Sequence, residues 1–171
     1  MKRVLIISVI GVIIAAALWA HWPVSPLPDS TAADLVVVLK AERRLELYQG
    51  STLLRSYSVS LGREPIGPKQ RQGDKRTPEG SYLIDSRKTD SSFHRALHIS
   101  YPRPDQVAVA KANGVSPGDL IMIHGLPTGA GFIGRLHRSW DWTQGCIAVT
   151  NAEIEELWRV VPVGTPIEIK P

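Results

Sequence analysis

An apolar run from Val4 to Ala20, interrupted only by Ser8 and Gly11 and preceded by Lys2 and Arg3, removes the first segment of the chain from any shared core. The run has no polar face, which argues against a surface helix half-buried on a soluble domain. At about 1.5 Å per residue, a helix of this length nearly crosses a hydrocarbon core. The basic start predicts a cytoplasmic N-terminus with the rest of the chain outside, and Trp19 and Trp22 suit the outer interface. Residues 1–22 are therefore expected to form one N-terminal transmembrane helix. A cleaved signal segment is the alternative, because Ala15-Ala16-Ala17 weakly matches a small-residue cleavage site. Either way, the rest of the chain enters an oxidising compartment.

Residues 23–33 carry Pro23, Pro26 and Pro28 among small and polar residues, which predicts a stiff linker. The folded domain is expected over 34–171, long enough to bury a core. It reads as mostly β. Leu35–Lys40 is a β-branched run. The runs on either side of Gly50 form a hairpin, with Tyr57, Val59 and Leu61 on one face. Gly62–Gly80 is a long polar loop, followed by strands over Ser81–Asp85 and Leu97–Ser100. A helix over 105–113 stops at Gly114. Leu120–His124 reads as a strand buried on both faces, Gly125–Trp142 as a glycine-rich loop, Asn151–Val161 as a helix capped by Asn151, and Pro166–Ile169 as a last strand. Many strands with few helices predict a β-sandwich-like domain.

The chain has one cysteine, Cys146. A lone thiol in an exported chain cannot close an intramolecular disulfide, and it is either a small buried filler or a nucleophile. A thiol near its free pKa of about 8.5 needs a base or a positive field to react. His124, at the end of an apolar strand, is the candidate base. Its second ring nitrogen needs an acceptor, for which the Gly125 carbonyl and Asp141 are candidates. Backbone N–H groups of Gly145 and Cys146 are candidates for an oxyanion site. His94 and His98 have the i, i+4 spacing of a helical metal pair, but Leu97–Ser100 reads β and no third ligand is near, so no metal is expected. The net charge of +4 fits a solvated surface or an anionic partner. With no basic helix, nucleic acid is not expected.

Ile123-His124-Gly125 followed by Thr143-x-Gly145-Cys146-Ile147 resembles the signature of the L,D-transpeptidase catalytic domain, the YkuD-type family. Thr77-Pro78-Glu79-Gly80, Asn151–Trp158 and Val163–Ile167 resemble its flanking segments, so the likeness runs over about residues 34–170. The resemblance implies a cofactor-free, two-step acyl transfer on peptidoglycan stem peptides. Cys146 forms the thioester, His124 is the base, Gly125 supplies the orienting carbonyl, and an amine takes the acyl group. It also implies a cell-envelope location, anchored at the inner membrane with the domain in the periplasm, or secreted after cleavage. His137, Arg135 and Arg138 are candidates to grip stem carboxylates, and Thr143 and Gln144 to line the substrate site. Ala148 stands where the family often has Arg or Asn. An L,D-carboxypeptidase or murein hydrolase, and a non-catalytic wall-binding module, are the alternatives. The oligomeric state is left open.

Overall fold

The computed structural model describes residues 2–89 and 91–171, and within the first helix the side chains of residues 8, 10–12 and 14–20. The strands are β1 (Leu35–Leu39), β2 (Arg44–Gln49), β3 (Thr52–Ser58), β4 (Gly80–Lys88), β5 (Ala96–Ile99), β6 (Met122–His124), β7 (Ile147–Ala148) and β8 (Pro166–Lys170). The helices are α1 (Lys2–Ala20), α2 (Pro104–Ala112) and α3 (Asn151–Val160), with a 3-10 segment over Gly131–Ser139.

The domain is mostly β with few helices, as expected, but in place of a sandwich-like arrangement its strands form one curled sheet in the order β3-β2-β1-β8-β4-β5-β6-β7. The reason lies in β4. Its first half, Gly80–Leu83, pairs with β8, while Ile84–Lys88 pairs with β5 across an irregularity between Ile84 and Ser86. Such a bulge bends a strand and sharpens its twist, so one strand serves both halves of the sheet. The outer edges then meet beyond the strand ends. Ser60 and Ala148 exchange both backbone hydrogen bonds, at 3.0 and 2.8 Å, and the Thr143 N–H donates to the Leu61 carbonyl at 3.1 Å. Contact of the two edges leaves less unpaired backbone open to other chains.

Leu45, Leu47, Leu61, Ile84, Ile99, Ile123, Ile147 and Ile167 fill the inside of the curl, and Ile154, Leu157 and Val160 of α3 pack against them. The hairpin at Gly50, the α2 span ending before Gly114, and the buried face of Tyr57, Val59 and Leu61 follow the residue pattern. Three expectations are corrected. The β6 strand is shorter than Leu120–His124, because Leu120 has φ of 56° and is exposed. The Gly125–Trp142 loop contains the 3-10 segment. Thr150, not Asn151, caps α3: its hydroxyl accepts from the Glu153 N–H, and the Glu153 carboxylate accepts from the Thr150 N–H, a reciprocal capping box.

Part of the stretch expected as a transmembrane helix and a stiff linker bonds to the domain. Among the described residues no helix is long and apolar enough to cross a membrane. The proline-rich stretch lies along the domain: the Leu27 N–H donates to Glu156 Oε1 at 2.7 Å, and Arg159 donates to the Leu27 carbonyl and to Asp29. Arg135 donates to the carbonyls of Trp19 and Trp22, so it is committed to backbone rather than open to a stem carboxylate. Leu47 has no solvent exposure. Leu47→Ala should therefore lower stability by about 2–5 kcal/mol, read as a lower chemical-denaturation midpoint with an unchanged slope.

Candidate active site

Strands β6 and β7 run parallel, with Ile123 beside Ile147 and His124 beside Ala148. Side chains alternate along a strand, so the buried Ile123 and Ile147 share one face and His124 points to the other. Cys146 directly precedes β7. Continuing the alternation from Ala148, which lies beside His124, puts Cys146 on the face of His124. Cys146 is half-buried, with its Sγ 3.5 Å from the Leu120 carbonyl oxygen. Burial pushes the thiol pKa up, opposed by a hydrogen bond from the Met122 backbone and by the positive charge of Lys69.

His124 is fully buried, and its Nδ1 lies 2.7 Å from the Gly125 carbonyl oxygen. A carbonyl only accepts, so Nδ1 carries the proton and Nε2 is left as a base. The ring stacks on Phe93 at 3.8 Å between centroids and meets the edge of Trp142 at 5.7 Å. Desolvation lowers the His124 pKa to about 4, against a smaller upward pull from the Gly125 carbonyl. Imidazole and thiol are therefore both neutral at neutral pH. Asp141, the other candidate to orient His124, instead pairs with Arg43 at 2.9 Å and accepts the Leu61 N–H at 2.8 Å.

The turn before Cys146 is held from within. Thr143 is buried, and its hydroxyl donates to the Cys146 carbonyl at 2.7 Å while accepting the Gly145 N–H at 3.1 Å. The Gly145 N–H is thus spent inside the turn, whereas the Cys146 N–H takes no part in these internal bonds. Gly145 has φ of 128°, and a Cβ there would stand 2.6 Å from the Arg76 carbonyl oxygen. Only glycine lets the 62–80 loop pack this closely under the cysteine. Gln144, at the tip of the turn, is exposed.

Two further sequence candidates are committed elsewhere. His137 is buried, with Nδ1 3.1 Å from Ser60 Oγ and its carbonyl accepting from the same hydroxyl. Its pKa falls to about 4 through desolvation and the Arg138 charge. Arg138 forms an ion pair with Glu153, which ties the 3-10 segment to the capping box of α3. His94 and His98 take separate carboxylates, Glu155 and Asp85, each at 2.6 Å. Phe93 and Lys69 were not among the sequence candidates. Phe93 carries no motif, and Lys69 sits in a polar loop where a solvated charge is the ordinary expectation.

Residues 33–169 match the L,D-transpeptidase catalytic domain (YkuD). The chain belongs to that family. It is 34% identical over 133 residues to the family protein YafK of Escherichia coli (strain K12), covering 74% of this chain and 46% of the relative. It is 27% identical over 154 residues to YqjB of Bacillus subtilis (strain 168), covering 86% of this chain and 77% of the relative. The chain thus spans about half the length of the E. coli protein. The helical cell shape determining protein Pgp2 from Campylobacter jejuni shares the fold, with a TM-score of 0.60 at 22% identity over 82% of this chain and 48% of that one. So does the L,D-transpeptidase (residues 123–326) from Xylanimonas cellulosilytica, with a TM-score of 0.53 at 20% identity over 91% and 68%.

Two outcomes follow for this L,D-transpeptidase-family domain. Thr143→Val keeps shape but removes two hydrogen bonds worth about 1 kcal/mol each. It should slow Cys146 alkylation far more than it lowers the melting temperature, and Thr143→Ser should restore both. The second concerns pH. His124 and His137 titrate near 6.5 when unfolded and at about 4 when folded. As pH falls through that window the unfolded chain binds protons first, so stability is full above about 6.5 and is lost towards 4. A double variant, His124→Asn with His137→Gln, should flatten this fall in a pH series of thermal melts.

Proposed function

We propose that this chain is a cysteine-dependent L,D-transpeptidase acting on peptidoglycan stem peptides. The observation that carries the reading is the parallel register that sets His124 beside Ala148, two residues after Cys146, with His124 Nδ1 held on the Gly125 carbonyl at 2.7 Å. Family membership supplies the substrate class.

The protonation states select the order of events. Because thiol and imidazole both rest neutral, the proton leaves Sγ for His124 Nε2 as sulfur attacks, rather than from a standing thiolate–imidazolium pair. The C–S bond forms at the carbonyl carbon of the third stem residue, and the oxyanion accepts from the Cys146 N–H. Collapse breaks the C–N bond to the terminal D-alanine, whose amine takes the proton from His124. A side-chain amine of a second stem then attacks the thioester, gives its proton to His124, and the thiol is regenerated. Gln144, exposed beside the cysteine, is assigned to the substrate wall. The substrate implies an envelope location.

Incubation of the protein with tetrapeptide muropeptides should release D-alanine and yield cross-linked stems, with a transient mass increase on Cys146. Cys146→Ala should abolish all three signals. Products that gain water instead of joining two stems would show hydrolysis, and full turnover by Cys146→Ala would refute the nucleophile.

A further inference from the structure

With Thr150 as the cap of α3, the side chain of Asn151 is left free of helix capping. Its Oδ1 accepts the Leu126 N–H at 2.8 Å. A backbone N–H only donates, so the amide oxygen must face it. The amide is boxed between two glycines. A Cβ at Gly125 would stand 2.9 Å from Asn151 Oδ1, and one at Gly131 would stand 2.8 Å from Asn151 Nδ2.

The Leu126 N–H belongs to the same peptide group as the Gly125 carbonyl, and that carbonyl is the acceptor for His124 Nδ1 at 2.7 Å. One planar unit thus carries the Asn151 bond at its N–H and the His124 bond at its oxygen. The groups that flank it are paired with the 94–95 segment: the Gly125 N–H donates to the Arg95 carbonyl and the His94 N–H to the Leu126 carbonyl, both at 3.1 Å. The peptide between them takes its bonds from two side chains, Asn151 and His124.

We propose that Asn151 is a positioning residue for His124: through the Gly125–Leu126 peptide it fixes the carbonyl that keeps the proton on Nδ1 and leaves Nε2 as the base. The assignment rests on His124 being the base of the candidate site. Two effects act together. The bond to the N–H keeps the peptide plane from turning, so the carbonyl stays aimed at Nδ1. It also polarises the peptide, because hydrogen bonds in a chain strengthen one another, and the carbonyl becomes a better acceptor. Asp141 is spent on Arg43, so a neutral amide acting through backbone takes the part that a carboxylate plays in other triads. Because α3 follows β7 after Val149 and Thr150, the support for the base is carried by the same stretch of chain that carries Cys146.

The test is the tautomer of His124, read from its ring nitrogen shifts by NMR on the full chain and assigned with His124→Asn. It needs no muropeptide, so its failure is separate from failure of the transpeptidase reading. The wild type should show a single tautomer with the proton on Nδ1. Asn151→Leu keeps the size but removes the acceptor, and it should give a mixture of the two tautomers. It should also slow Cys146 alkylation by iodoacetamide at neutral pH about three- to tenfold, the worth of about one hydrogen bond. Asn151→Asp keeps an oxygen towards the Leu126 N–H and should restore both the single tautomer and the rate. Asn151→Ala takes the place of Asn151→Leu if the latter does not fold, as judged by circular dichroism. Mixed tautomers in the wild type, a single Nδ1–H tautomer with an unchanged rate once the acceptor is gone, or an equal loss in Asn151→Asp would overturn the proposal.

Discussion

Parallel pairing of β6 with β7 sets the register on which the candidate site depends. The two strands are three and two residues long, too short to hold a register by their own hydrogen bonds. Their register is held by what surrounds them. Ile123 and Ile147 are locked in the core, Ala148 is bonded to Ser60 across the closing edge, and the Val149 N–H donates to the His124 carbonyl at 3.0 Å. A slip of one residue would turn His124 into the core and expose Ile123. Core packing and the geometry of the candidate site are therefore one constraint.

The same economy governs the polar groups. Thr143, Asp141, His137 and Arg138 sit near the cysteine in sequence, yet the hydrogen bonds and ion pairs they make are to the scaffold. Asp141 ties the closing edge to the β1–β2 turn through Arg43, and Arg138 ties the 3-10 segment to α3. What remains for chemistry is sparse: a thiol, one imidazole nitrogen and a backbone N–H, walled by Phe93 and Trp142. This is a site in which burial, rather than charge, does most to set the protonation of the reacting groups.

Alternation and glycine punctuation made the hairpin, most of the strands and both domain helices legible in the sequence, because those signals are local; the two-residue β7 is too short to show a pattern and was not legible. The Cys146–His124 motif was legible because the family signature keeps its residue types in order along the chain. The single sheet was not. Whether a nine-residue strand belongs to one sheet or joins two depends on a bulge between Ile84 and Ser86, which no residue type there announces. The cap of α3 was misplaced by one residue, because Thr150 and Asn151 are both good caps and only the reciprocal bonds to Glu153 separate them. Nor could spacing tell that Arg138 would find Glu153, 15 positions away.

A thiol kept protonated also ages slowly. Peroxide and disulfide exchange both act on the thiolate, so burial that raises the Cys146 pKa slows oxidation of the sulfur. With no second cysteine in the chain, an oxidised Cys146 would have no resolving partner of its own. A sulfur that rests protonated gives such a chain a durability that does not depend on a second thiol.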